Sequence, residues 1–203
     1  MKVINHSVQL LYEEGGLLPT QKVEAAAKTC YQSELTDTEE KRHNFIRRLI
    51  KNGHTAMIEF AEVGFRIITD RGVTHELVRH RIASFAQEST RYCNYGNKDI
   101  EFVKPVSIDN ENCATWQIAM EDAEAAYKSM LNIGYSPQIA RSVLPNSLKT
   151  EICVKFNMRS FRNFVMLRTA KAAHPDMQYV ANLCVDLLRG TDYWVFIEDL
   201  VGE

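Results

Sequence analysis

A chain of 203 residues is long enough to bury one substantial core, and 45% apolar with 25% charged residues is ordinary globular composition. A net charge of −2 argues against a dedicated nucleic-acid binder, which carries a large basic excess. No apolar run reaches the roughly 20 residues that span a bilayer, and Met1-Lys2-Val3-Ile4-Asn5 begins no signal peptide.

Residues 22–30 read as a short Ala-rich helix. Residues 38–52 predict an amphipathic helix, with Phe45, Ile46, Leu49 and Ile50 on one stripe, Glu39 and Glu40 in the first turn and Gly53 closing it. Val63, Phe65 and Ile67 alternate with Glu62, Gly64 and Arg66, the pattern of a half-buried strand over 59–69. After a turn at Asp70-Arg71-Gly72, a short helix is predicted over 73–82 and an extended or irregular segment over 83–92. A strand over 100–104 stops at Pro105.

The longest helix is predicted from about Asn112 to Asn132, with Trp116, Met120, Ala123, Tyr127 and Met130 on its core face. Ser136 as N-cap and Pro137 open a short helix through Arg141. Ile152, Val154 and Phe156 alternate in a strand over 150–157. Ser160 is placed to cap a helix over 161–169, and Pro175 opens a last helix that Gly190 closes. The tail from Thr191 to Leu200 is expected to dock. Strands and helices without βαβ alternation predict an α+β fold, a central, mostly antiparallel sheet flanked by helices, in a single domain over 1–203. There is no Gly-x-Gly-x-x-Gly, P-loop or Gly-x-Ser-x-Gly motif.

The five cysteines, Cys30, Cys93, Cys113, Cys153 and Cys184, are odd in number and widely spaced, with no Cys-x-x-Cys pair and no Cys/His cluster. Reduced thiols in a cytoplasmic protein are expected, with no metal centre.

The chemistry concentrates in the run from Arg79 to Tyr92, which holds Arg79, His80, Arg81, Gln87, Glu88, Ser89, Thr90 and Arg91 among Ile82, Ala83, Phe85 and Ala86. So many polar groups are costly to bury unpaired. A concave site for an anionic, hydrogen-bonding ligand accounts for the mixture; a solvated helix end followed by a charged strand would carry the same residues. Arginine forks match phosphate and planar carbonyls, Ser89-Thr90-Arg91 could offer hydroxyls and amides to a phosphate, and the Gln87 amide suits a pyrimidine edge or a sugar hydroxyl.

Arg79-His80-Arg81, seven residues and then Ser89, followed by Arg91-Tyr92, resembles the signature of the flavin-dependent thymidylate synthases. Three further blocks resemble that family in the family's order: Gly53-His54 with Glu59, Ala140-Arg141-Ser142-Val143-Leu144-Pro145, and Asn157-Met158-Arg159-Ser160 with Asn163 and Leu167-Arg168. The resemblance implies an enzyme that makes dTMP from dUMP with FAD as hydride carrier, methylenetetrahydrofolate as carbon donor and NADPH as reductant. It also implies a homotetramer whose active sites are shared between subunits. It assigns dUMP to Glu76, Arg79, Gln87, Glu88, Ser89, Thr90, Arg91, Arg141 and Arg168, with Arg168 polarising the uracil. It assigns FAD to His54, Glu59, Arg79, His80, Arg81, Gln87, Asn157, Arg159, Asn163 and Leu167, with no metal.

The chain departs from the family pattern at Ala86-Gln87, where Asn-Glu is common, and at Glu76, Ala56, Phe60 and Ala172. No cysteine stands in a Pro-Cys-His setting, so the thiol-dependent class of thymidylate synthase is disfavoured. A non-catalytic nucleotide- or RNA-binding module that keeps the arginine-rich pocket is the rival reading.

Overall fold

Two nine-residue strands with alternating inward apolar residues build the centre of the molecule. The computed structural model describes residues 1–11, 16–109 and 113–201. Strand β3 (Glu62–Asp70) pairs antiparallel with β6 (Lys149–Asn157) from Glu62 opposite Asn157 to Asp70 opposite Lys149. Their inward residues Val63, Phe65, Ile67, Ile152, Val154 and Phe156 are fully buried, while Arg66 pairs with Glu151 on the other face at 2.8 Å. Strand β2 (Ser7–Leu10) flanks β3 and β4 (Ala83–Gln87) flanks β6, giving a four-stranded antiparallel sheet in the order β2-β3-β6-β4.

Helices cover the inward face. They are α1 (Pro19–Thr29), α2 (Glu39–Lys51), α3 (Arg71–Leu77), α6 (Met158–Arg168) and α7 (Pro175–Asp186), and they share one core with the sheet. Phe156, Phe161 and Phe164 stack at its centre with ring centroids 5.4–5.9 Å apart. The tail docks as expected, with Val195, Phe196 and Ile197 buried in this core.

A smaller core lies beside the sheet. There β1 (Lys2–Ile4) pairs in parallel with β5 (Glu101–Val103), the exception to the antiparallel expectation. Helix α4 (Cys113–Asn132) buries Met120 and Tyr127 against Ile100 and Phe102; its predicted start at Asn112 lies outside the described residues. The single turn α5 (Pro137–Ala140) follows, and Leu148 joins the small core to β6.

Several predicted boundaries move for local reasons. Helix α3 stops at Leu77 and not at 82, because the chain must reverse to enter β4; Arg79 and His80 lie in that reversal. Ser136 occupies a cap position but makes no side-chain cap bond. The cap of α6 is Asn157, not Ser160: Asn157 ends β6 with extended backbone, and its Oδ1 accepts the Ser160 amide at 2.8 Å. Asn157→Ala is therefore expected to cost the apoprotein about 1 kcal/mol, with Asn157→Asp close to wild type. Urea denaturation checks this, and an unchanged midpoint in the alanine variant would remove the cap. Gly53 and Gly190, at φ +74° and +73°, close α2 and the turn after α7 in the left-handed region that favours glycine. Among the described residues no helix is long and apolar enough to cross a membrane.

Candidate active site at the sheet edge

The reversal after α3 sorts the Arg-His-Arg run by direction. The Arg79 amide donates to Glu76 O at 3.2 Å and the His80 amide to Leu77 O at 3.1 Å. His80 turns inward, 6% exposed, and sits edge-on to Phe164 at 5.2 Å; Arg79 and Arg81 stay exposed. Arg168, the last residue of α6, reaches back to this turn. Its Nε donates to His80 Nε2 at 2.8 Å and its Nη1 to Glu76 Oε2 at 2.6 Å. A guanidinium only donates, so His80 Nε2 carries a lone pair and the ring is neutral. Burial, and then the Arg168 charge, pull the His80 pKa down to about 4. The result is a guanidinium held by a carboxylate and an imidazole at a fixed angle.

Edge strand β4 carries the next residues. Gln87 points inward and donates its amide nitrogen to Thr74 Oγ1 at 2.9 Å and Thr150 Oγ1 at 3.2 Å. Glu88 continues the ladder through its amide to Glu151 O, and its carboxylate lies between Lys149 Nζ at 3.0 Å and the Tyr95 hydroxyl at 2.8 Å. Burial pushes the Glu88 carboxyl up, but the bonds from Lys149 and Tyr95 outweigh it and hold the group below the usual carboxylate range. Burial and the Glu88 charge push the Tyr95 phenol up, so it remains a donor.

Ser89, Thr90 and Arg91 form a tight turn, with the amides of Tyr92 and Cys93 both donating to Ser89 O. Thr90 is buried and its Oγ1 accepts from Arg141 Nη1 at 3.2 Å; Arg91 Nε donates to Gln138 Oε1 at 3.2 Å and its guanidinium lies over the Tyr92 ring. The segment around Arg141 is thus brought to the turn that follows β4.

At the other end of α6, Arg159 Nη1 donates to Glu59 Oε1 at 2.7 Å, and the Met158 amide donates to Ala61 O. Ser160 Oγ accepts the Ile82 amide at 3.2 Å, which ties the start of α6 to the Arg-His-Arg turn. Arg159, Asn163 and Leu167 form one exposed stripe of α6, at i, i+4 and i+8. Arg159 and Arg168 stand about 14 Å apart along the helix axis. His54 is exposed beyond the end of α2 and lines a cavity of about 510 Å3 with Lys28, Tyr31, Phe45, Arg48 and Met57; none of the site arginines lines it.

Four sequence blocks therefore join in pairs: the Arg-His-Arg turn with Arg168 and Ser160, the Ser89 turn with Arg141, and Glu59 with Arg159. The sequence reading missed the groups that hold them. Thr150 had a signal, a polar residue at an inward position of an otherwise apolar alternation. Thr74, Lys149, Tyr95 and Phe164 had none: Lys149 and Phe164 act across a long sequence separation, and Thr74 and Tyr95 reach Gln87 and Glu88 only through the turns that the fold sets.

Residues 17–191 match the family model described as thymidylate synthase complementing protein. A flavin-dependent thymidylate synthase of Mycolicibacterium gilvum is 35% identical over 187 residues, covering 82% of this chain and 73% of that protein. One of Geobacter sulfurreducens is 30% identical over 187 residues, covering 88% and 81%. The chain belongs to the flavin-dependent thymidylate synthase family. The match to the family's Pyrococcus furiosus enzyme is 35% identical over 152 residues and spans 72% of this chain but 62% of that one. Among solved structures, the Helicobacter pylori flavin-dependent thymidylate synthase complexed with FAD and dUMP superposes with a TM-score of 0.82 at 27% identity, over 96% of this chain and 99% of that one. A UMP/dUMP methylase from Streptomyces cacaoi shares the fold, with a TM-score of 0.80 at 22% identity over 97% and 96%. The stretch that matches the flavin-dependent thymidylate synthases contains all four blocks of the site.

Proposed function

We propose that this chain methylates dUMP reductively to dTMP, taking carbon from methylenetetrahydrofolate and electrons from NADPH through FAD, without an enzyme thiol. The observation that carries the reading is the Arg168 guanidinium fixed between Glu76 and neutral His80. C5 of uracil is a weak nucleophile, and a guanidinium already oriented beside the ring stabilises developing negative charge without reorganising. Arg79, Arg91 and Arg141, with Ser89 and Thr90, supply the cationic forks and hydroxyls that a nucleotide phosphate and sugar need. Glu76 and His80 orient Arg168, and Gln87 and Glu88, engaged by Thr74, Thr150, Lys149 and Tyr95, shape the strand and turn that present the substrate.

The donor set also fits a flavin. Arg81 and Arg159 offer exposed cations for a pyrophosphate, while Asn157 uses its Oδ1 as the helix cap and keeps its amide nitrogen for a ring carbonyl. Asn163, Leu167, Glu59 and His54 extend that surface, with His54 toward the folate side. Reduced flavin supplies the hydride that no side chain can. Leu167 and several neighbours of the residues assigned to flavin and dUMP are large, apolar and exposed, with Phe60 58%, Ile82 75%, Tyr92 77% and Leu167 50% accessible. Such a surface supports a homotetramer in which a second subunit covers each site. The cysteines form no disulfide, and Cys184 is buried with its thiol pushed up. Reduced cysteines support a cytoplasmic location.

Purified protein is expected to be yellow, to release FAD on denaturation, and to convert dUMP to dTMP in preference to UMP or dCMP. Tetrahydrofolate, not dihydrofolate, is the expected folate product, and Cys93→Ser should retain turnover. A colourless protein that binds dUMP and gains no colour with added FAD would leave a nucleotide-binding module; stoichiometric dihydrofolate would overturn the mechanism.

A further inference from the structure

We propose that His6, Asp70 and Asp176 form a binding site for one divalent transition cation, Zn2+ or Mn2+, separate from the nucleotide site. The three residues come from the turn between β1 and β2, the end of β3 and the first turn of α7. They are 6%, 6% and 2% exposed, and their candidate ligand atoms all lie within 4.8 Å of one another. An imidazole with two carboxylates is a donor set suited to such ions.

The geometry favours a bound cation over a network of hydrogen bonds. His6 Nδ1 lies 2.8 Å from Thr69 Oγ1, which fixes the ring through the nitrogen that faces away from the cluster. Nε2 is buried without a hydrogen-bond partner and faces Asp176 Oδ1 at 3.8 Å. That separation is too long for a hydrogen bond. Two metal–ligand bonds of about 2.1 Å would span the 3.8 Å at an angle of about 130°.

Each carboxylate is already aimed. Asp70 Oδ1 accepts the Val73 amide and Asp176 Oδ1 the Val106 amide, both at 2.7 Å, which leaves lone pairs on both groups. A cation between the two carboxylates relieves their repulsion. Three protein donors leave the remaining coordination to water. Because Asp70 also caps α3, the ion would pin the helix whose far end carries Glu76 and leads into Arg79 and His80.

The full-length protein, stripped with chelator, is titrated with Zn2+ or Mn2+ alone by equilibrium dialysis and elemental analysis. One equivalent per chain is expected, with a rise in melting temperature on binding. His6→Gln and Asp176→Asn should each weaken binding by about tenfold or more, whereas His43→Gln, at a half-buried histidine that pairs with Asp192 away from the cluster, should not. X-ray absorption on the Zn2+-loaded wild type reads the ligands without any variant, and a nitrogen/oxygen shell with one imidazole is expected. Wild type that binds no ion, unchanged binding in a folded His6→Gln variant, or sulfur in the ligand shell would each overturn the proposal.

Discussion

Arg168→Ala is expected to lower dTMP turnover by about 10²–10³-fold, the usual loss when one preorganised charge stabiliser is removed from a site. The effect should fall on kcat more than on KM for dUMP, because Arg79, Arg91 and Arg141 remain to hold the phosphate. Arg168→Lys should recover little. A lysine is a point charge and cannot reproduce the two directed bonds to His80 at 2.8 Å and Glu76 at 2.6 Å. Folding should suffer less than catalysis: the alanine variant loses a hydrogen bond to the buried His80, which costs about 1–2 kcal/mol. Steady-state kinetics beside urea denaturation of the same preparation separates the two effects. Turnover within a factor of a few of wild type would strip Arg168 of its role.

Acid should destabilise the protein through His80 before it does so through the carboxylates. In the unfolded chain this imidazole titrates near 6.5; in the fold burial and Arg168 lower it to about 4. Between those values the unfolded state binds a proton that the folded state refuses. The contribution of a neutral His80 is therefore complete above pH 6.5 and is lost as pH falls through about 4, by at most about 3 kcal/mol. Carboxylates whose pKa is lowered by partners, such as Glu88 and Asp176, add their losses only below the unfolded carboxylate range. His80→Gln keeps an acceptor for Arg168 and removes the titration. Comparing wild type and this variant by urea denaturation at pH 7.5 and 5 should show a shallower decline in the variant. Parallel declines would mean that His80 is charged in the fold.

Much of the architecture was legible. The alternation in β3 and β6 runs long enough to register unambiguously against a buried face, and α2 shows its stripe, its acidic first turn and its closing glycine. Strands β1 and β2, with three and four residues, contain too few alternations to stand out, and the parallel pairing of β1 with β5 has no local signature. The cap of α6 is ambiguous in the sequence because Asn157 and Ser160 are both good capping residues, and only the backbone at the end of β6 decides between them.

The family and its inventory of guanidiniums, hydroxyls and amides lay in the sequence itself, since side-chain chemistry and short-range periodicity survive without a fold. Which groups meet did not. Arg168 finds His80 across 88 residues, Arg159 finds Glu59 across 100, and His6, Asp70 and Asp176 come together from three separate elements. Those pairings depend on how the sheet orders its strands and on where each helix ends. A periodic pattern determines the face a residue occupies, whereas its partner is set by long-range packing.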